Sequence, residues 1–287
     1  MAVLPIERKR VIELSDALAS FPRTVSEILA TIDDPDGNLN VLVGCINHDP
    51  IIAARVLSVA NRAAARARRD TDVTDIYTAT SLIGMTRVRE ITLISALKAF
   101  VGKMISDEGG VRQWQHSVAA GVCCEEIAAH VEAPISVDSS LIAGLLHDIG
   151  QFWFQAIEPA TFRACRLEAR ARNVGIEQVE RAHFGVDHST VGRWLAEHWE
   201  LPDDICAAIG GHHAPDSAAD SFMVPLVHVA EVLSNALELS GGGDANHVSY
   251  VSSAACRKLG LVWGEDSQSL FGRIEARAQH ANAFFSA

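Results

Sequence analysis

No apolar run in the chain approaches the ~18 to 20 residues that a helix needs to cross a bilayer, although 48% of its 287 residues are hydrophobic. That excludes a helical membrane span on sequence grounds and leaves ample material for a substantial core. The six cysteines form no C-x-x-C pair, and most lie within helical apolar patterns, where a free thiol behaves as a small hydrophobe. Reduced, buried thiols are therefore expected. The N-terminus places Glu7, Arg8, Lys9 and Arg10 after a five-residue apolar start, which is not the basic-then-apolar order of a secretion signal. A cytoplasmic protein with no membrane contact is the expectation. No P-loop, G-x-S-x-G, Cys/His nucleophile pair or Gly-rich dinucleotide fingerprint is present, so nucleophilic side-chain catalysis finds no support. Basic charge is also in deficit: the formal charge of -12 repels polyanions and argues against nucleic acid as the main ligand. Arg62, Arg66, Arg68 and Arg69 make one local basic patch, for which a solvated helix end and loop is the economical reading.

Strand signals are scarce as well. Alanine is abundant, β-branched alternation is rare, and apolar residues recur at helical spacing almost throughout, so the fold class is all-α. Asp49 followed by Pro50 gives an N-cap and a proline at the first helical position, after which Ile52, Val56 and Val59 repeat on one face. Further helices are expected at about 7–19, 23–32, 39–47, 73–83, 86–104, 111–131, 138–147, 159–173, 176–183, 188–199, 203–212 and 225–239. Composition shifts at Asp107-Glu108-Gly109-Gly110 and at Gly241-Gly242-Gly243 mark expected joints. They divide the chain into an N-terminal helical subdomain (1–108), a histidine-bearing helical subdomain (109–239) and a C-terminal extension (240–287) with two short helices.

The informative feature is an ordered set of histidines and carboxylates. With 12 His in 287 residues, roughly 0.75 His-Asp dipeptides are expected by chance, so His147-Asp148 alone proves little. His48-Asp49 is a second pair, and its Asp is better explained as a helix cap. Position on the helix adds weight. His116 aligns with Ala120, Cys123 and Ile127, and His188 aligns with Val191 and Leu195. His212 follows Ile205 and Ile209, His147 follows Ala143, and Glu231 follows Val224 and Val227. Five helices thus aim imidazoles or a carboxylate inward. Burying such groups costs several kcal/mol unless they are paired or bound to a metal. The set His116, His147, Asp148, His188, His212, His213 and Glu231 suits one or two ions of iron, manganese or zinc, with Asp148 able to bridge two. A hydrogen-bonded polar core without metal is the competing explanation.

From about Leu18 to Leu237 the chain resembles the HDOD family, the HD-related output domain of bacterial signalling proteins. Phe21-Pro22, the stretch from His48 to Asn61, and Ser81-Leu82-Ile83-Gly84 are similar to its front half. The segment Gly144 to Gly150, His188 with Gly192, Trp199-Glu200-Leu201-Pro202 and His212-His213-Ala214-Pro215 are similar to its second half. The resemblance implies an N-terminal helical subdomain packed on a diverged HD-type bundle. It also implies a regulatory role through protein partners of the sensor-kinase or response-regulator class, in a two-component or second-messenger pathway.

The sequence is also similar to the catalytic HD-GYP phosphodiesterases, whose metal ligands match His116, His147, Asp148, His188, His212 and His213, with Glu231 where they carry Asp. Gln151 stands where those enzymes have Lys, and Ala214-Pro215-Asp216 lacks their Gly-Tyr-Pro motif. The ligands are kept while the phosphate-handling groups are not, so a non-catalytic module is expected. A metal-dependent phosphohydrolase acting on a nucleotide or cyclic dinucleotide through Asp148 is the alternative, and a nucleotide or nucleic-acid binding module is the weaker one. His183 is expected outside the ligand set, Arg193 in a surface ion pair, and the five tryptophans in packing.

Overall fold

Helix is the regular structure of the described residues in this computed structural model, which are 5–18, 20–30, 38–67, 72–105, 107–218, 220–239, 250–264 and 266–286. Among them are sixteen α-helices, one 3-10 turn and no strand, as the scarcity of β patterning requires. The basic patch falls partly outside them at Arg68 and Arg69, as does the Gly241–Gly243 joint.

The backbone forms two compact units. The first helix, α1 (Arg8–Leu18), belongs with the larger, which comprises Met1–Ser20 and Val101–Ala287. The smaller unit, Phe21–Phe100, contains α2 (Arg23–Leu29), α3 (Asn38–Asn47), α4 (Pro50–Arg66), α5 (Ile76–Ile83) and nearly all of α6 (Met85–Val101). Asp49 caps α4 by accepting from the N–H groups of Ile51 and Ile52 at 2.9 and 3.1 Å. Asn61 then ties α4 to the next segment: its amide donates to the Val73 carbonyl at 2.9 Å and its oxygen accepts from the Val73 N–H at 2.8 Å. Gly84 ends α5 at φ 83, a left-handed conformation that a Cβ would strain.

The larger unit continues with α7 (Glu108–His130), α8 (Val137–Leu146), α9 (Ile149–Ile157), α10 (Pro159–Arg172), α11 (Ile176–Phe184), α12 (His188–His198), α13 (Asp203–Gly211) and α14 (Met223–Ala236). It closes with α15 (Ser253–Leu259) and α16 (Asp266–Ser286). Its core is built on Phe152, Trp153, Phe154, Ile127 and Leu141, all essentially without exposure. Trp114 is buried too, and Trp263, 41% exposed, stacks on Phe271 with ring centroids 5.9 Å apart. All six cysteines are buried free thiols.

Three sequence expectations need correction. Helix α9 is an addition to the predicted set; Gln151 and Gln155, four positions apart, give it a polar stripe that spacing could have exposed, although both are buried. Gly109 and Gly110 do not break the chain; Asp107 caps α7 through the Gly110 N–H at 3.0 Å, and both glycines lie in its first turn. They are small because Gln155 crosses Gly110, and its side-chain oxygen would lie 2.6 Å from an added Cβ. Finally, the C-terminal extension holds one short helix and one of 21 residues, rather than two short ones.

Candidate metal centre

Asp148 stands at the turn between α8 and α9, fully buried, and four imidazoles surround its carboxylate. Its Oδ2 lies 3.2 Å from His147 Nε2 and 3.9 Å from His116 Nε2. Its Oδ1 lies 3.2 Å from His188 Nε2 and 3.9 Å from His212 Nε2. Each oxygen therefore faces one of two donor groups, His116, His147 and Glu231 on one side and His188, His212 and His213 on the other. Within each group the donor atoms lie within 4.8 Å of one another. All seven residues predicted from the sequence are thus brought together, from α7, α12 and α14 and from the turns that follow α8 and α13.

The imidazoles are oriented from behind. His147 Nδ1 contacts the Gly144 carbonyl at 2.8 Å and His212 Nδ1 the Ile209 carbonyl at 2.9 Å. Donation from Nδ1 to a carbonyl leaves the Nε2 lone pair directed into the site, the tautomer a metal ligand requires. His188 is held by Glu180, whose Oε2 accepts from the His188 backbone N–H at 2.8 Å and meets Nδ1 at 2.6 Å. Gly150 and Gly192 allow α9 and α12 to approach closely, which brings His188 to Asp148.

The electrostatics are those of crowded groups out of water. Burial and neighbouring imidazoles push His116 down to about 4, and push His212 and His213 well below the ordinary histidine range. Burial also disfavours charge on His147 and His188. Asp148 outweighs it at His147, which rises to about 9, and Glu180 with Asp148 does so at His188. Those imidazoles hold Asp148 well below the usual carboxylate range against its burial. Glu231 is the opposite case: both oxygens are buried without a hydrogen-bond partner, and burial pushes the carboxyl up to about 8. The Nε2 atoms of His116 and His212 also lack a hydrogen-bond partner. Orphaned lone pairs of this kind cost stability unless a cation meets them, so the donor set fits a divalent metal.

Sequence reasoning missed four residues around this set. Gln113, one helical turn before His116, donates to Asp148 Oδ2 at 2.5 Å, and its i, i+3 spacing could have exposed it. His228, one turn before Glu231, was legible in the same way. Glu180 and Ser252 reach the site only through chain reversals and left no periodic trace. His183 pairs with Glu168 at 2.9 Å and Arg193 with Glu197 at 2.8 Å, as their surface readings predict.

A family model, the HDOD domain, matches residues 18–215. The chain belongs to the HDOD family. Its fold is similar to that of an HDOD domain protein of unknown function from Geobacter sulfurreducens (TM-score 0.74, 21% identity, 96% of each chain covered). It is similar also to a Marinobacter aquaeolei VT8 protein provisionally described as a signal transduction protein (TM-score 0.77, 21% identity, covering 96% of this chain and 61% of that one). A third is a Shewanella amazonensis SB2B protein provisionally described as a phosphohydrolase (TM-score 0.66, 20% identity, covering 94% and 97%). At these identities the likeness is one of fold. This HDOD chain spans 40% and 18% of the lengths of two curated relatives it matches. Among its described residues, no single helix is long and apolar enough to cross a membrane.

Proposed function

We propose that this HDOD protein is a regulatory module organised around a metal centre and acting through protein partners, of the sensor-kinase or response-regulator class, rather than by hydrolysis. The observation that carries the metal is the buried Glu231 carboxylate. It has no hydrogen-bond donor and shares a ligand-sized cluster with His116 and His147. His188, His212 and His213 would hold a second ion, with Asp148 facing both groups. When bound, iron, manganese or zinc would supply Lewis acidity toward water or phosphate.

Two features support a structural rather than a catalytic centre. His147, Asp148, His188, His212 and Glu231 have no exposed surface, which suits a core organiser more than a substrate site. Gln151, only 2% exposed, offers an uncharged amide where phosphodiester chemistry needs a cation. The alternative, a metal-dependent phosphohydrolase, draws on the placement of Asp148 between two donor groups, the layout of two-metal hydrolytic sites.

Elemental analysis of anaerobically purified protein tests the centre, with the His147→Ala, Asp148→Ala double variant as control. About one to two equivalents of metal, lost in the variant, are expected; metal-free, well-folded wild type would refute the centre. Sustained turnover of a generic phosphodiester with manganese or iron, abolished by Asp148→Ala, would overturn the non-catalytic assignment.

A further inference from the structure

The loop carrying His212 and His213 is held from one side by α14 and from the other by the chain's C-terminal extension. His228 on α14 is fully buried beneath it. Its Nδ1 lies 3.0 Å from the His212 carbonyl, and its Nε2 accepts the Ser252 N–H at 3.1 Å. Because Nε2 accepts, Nδ1 carries the proton and donates to His212. The second link is the Ser252 hydroxyl, which donates to Asp216 Oδ1 at 2.5 Å, just past the loop's other end. That hydroxyl also caps α15 by accepting from the Ala255 N–H at 3.0 Å, and the Tyr250 ring lies against His228 with centroids 5.7 Å apart.

Farther along, α16 is tied to the helix that bears His116. Arg273 and Arg277 reach Glu126 at 2.9 and 2.7 Å, and Arg277 also pairs with Glu125. Asn282 donates to the Leu239 carbonyl, just past α14, at 3.0 Å. The extension therefore grips the supports of both donor groups, yet it lies outside the stretch matched by the family model, which ends at residue 215.

We propose that the segment Tyr250–Ser252 is a strap that sets the metal centre, with His228 and Ser252 as positioning residues for the His212–His213 loop. Displacing the strap frees Asp216 and removes the donor from His228 Nε2, so that the ring holding the His212 carbonyl is no longer fixed. The loop then loses the orientation of two of the three imidazoles in the His188 group, while His116, His147 and Glu231 keep theirs. A partner that bound the extension would thereby act on the centre from outside it. This rests on the metal-centre reading for its consequence, but not for the strap itself.

The test uses the full chain. Ser252→Pro removes both the N–H and the hydroxyl at a residue whose φ of -66 suits proline. His228→Leu removes the relay, and His228→Asn keeps a donor near the Nδ1 position. In metal-free protein, amide hydrogen exchange at His212, Ala214 and Ser217 should speed up about tenfold or more in Ser252→Pro and His228→Leu, with α7 unchanged and His228→Asn near wild type. Unchanged protection in Ser252→Pro overturns the strap. In a cobalt(II) titration, the same two variants should bind one ion about 10- to 100-fold more weakly and the other normally. A loosened loop that still holds both ions tightly overturns its role in the centre. Wild type that takes up no cobalt refutes the metal reading, and the exchange result then decides the strap alone.

Discussion

Adding one methyl group at Gly150 is predicted to destabilise the protein even though alanine is the better helix former. An ideal Cβ there would collide with the His188 carbonyl oxygen, and would stand 2.8 Å from the carbonyl carbon and 2.9 Å from the Gly192 nitrogen. All three are backbone atoms, so no rotamer change relieves the contact and α9 must move away from α12. Overpacking of well-filled cores costs about 1–3 kcal/mol, and a backbone collision belongs at the upper end. Alanine returns about 1 kcal/mol of helix propensity. The net expectation is a loss of about 2 kcal/mol.

Gly272, inside α16, has no atom within 4 Å of the same ideal position, so Gly272→Ala should gain about 0.5–1 kcal/mol. Urea unfolding of metal-free protein, with an unchanged m-value, measures both. Gly150→Ala as stable as wild type would refute the close-approach explanation. Because the collision displaces His188 from Asp148, metal retention in Gly150→Ala should fall as well.

Glu180→Ala should weaken binding at the His188 group about 10- to 100-fold, by releasing the Nδ1 contact that orients the imidazole, and metal titration reads this directly. Glu126 is held below the usual glutamate range because Arg277 and Arg273 outweigh its burial. Its contribution is therefore complete above the unfolded value near 4.5 and is lost as pH falls through the lower folded value. Glu126→Gln should flatten that acid limb in urea titrations at stepped pH, and an identical limb would show that the α7–α16 contact does not titrate. Asp49→Ala should cost about 1 kcal/mol through loss of the α4 cap, measured by the same unfolding assay.

The candidate site was legible to the extent that each candidate donor shared a helical face with apolar neighbours. His188 and Glu231 obey that rule: His188 is buried with Val191 and Leu195 on α12, and Glu231 with Val224 and Val227 on α14, although every residue from Met223 to Glu231 is buried. The rule is weaker for His116: from Ser117 to Ala128 every residue of α7 is buried, so the inward face is not distinguishable by pattern. Gln113 and His228 stand one helical turn from His116 and Glu231, so spacing along the chain points to them as well. Glu180 did not, since Gly185, at φ 78, reverses the chain between it and His188.

The sequence by itself determined the helical class and most helix positions, and it singled out the seven candidate donors that the structure brings together, because local capping, helical periodicity and motif spacing are properties of neighbouring residues along the chain. Tertiary structure alone decided that one Asp148 oxygen faces each donor group, that Glu180 orients His188, and that Ser252 meets both His228 and Asp216. Those pairings join residues far apart along the chain, as from Asp148 to His212, 64 positions on. They depend on how closely helices approach and where loops reverse, and such distances leave no period in a one-dimensional pattern.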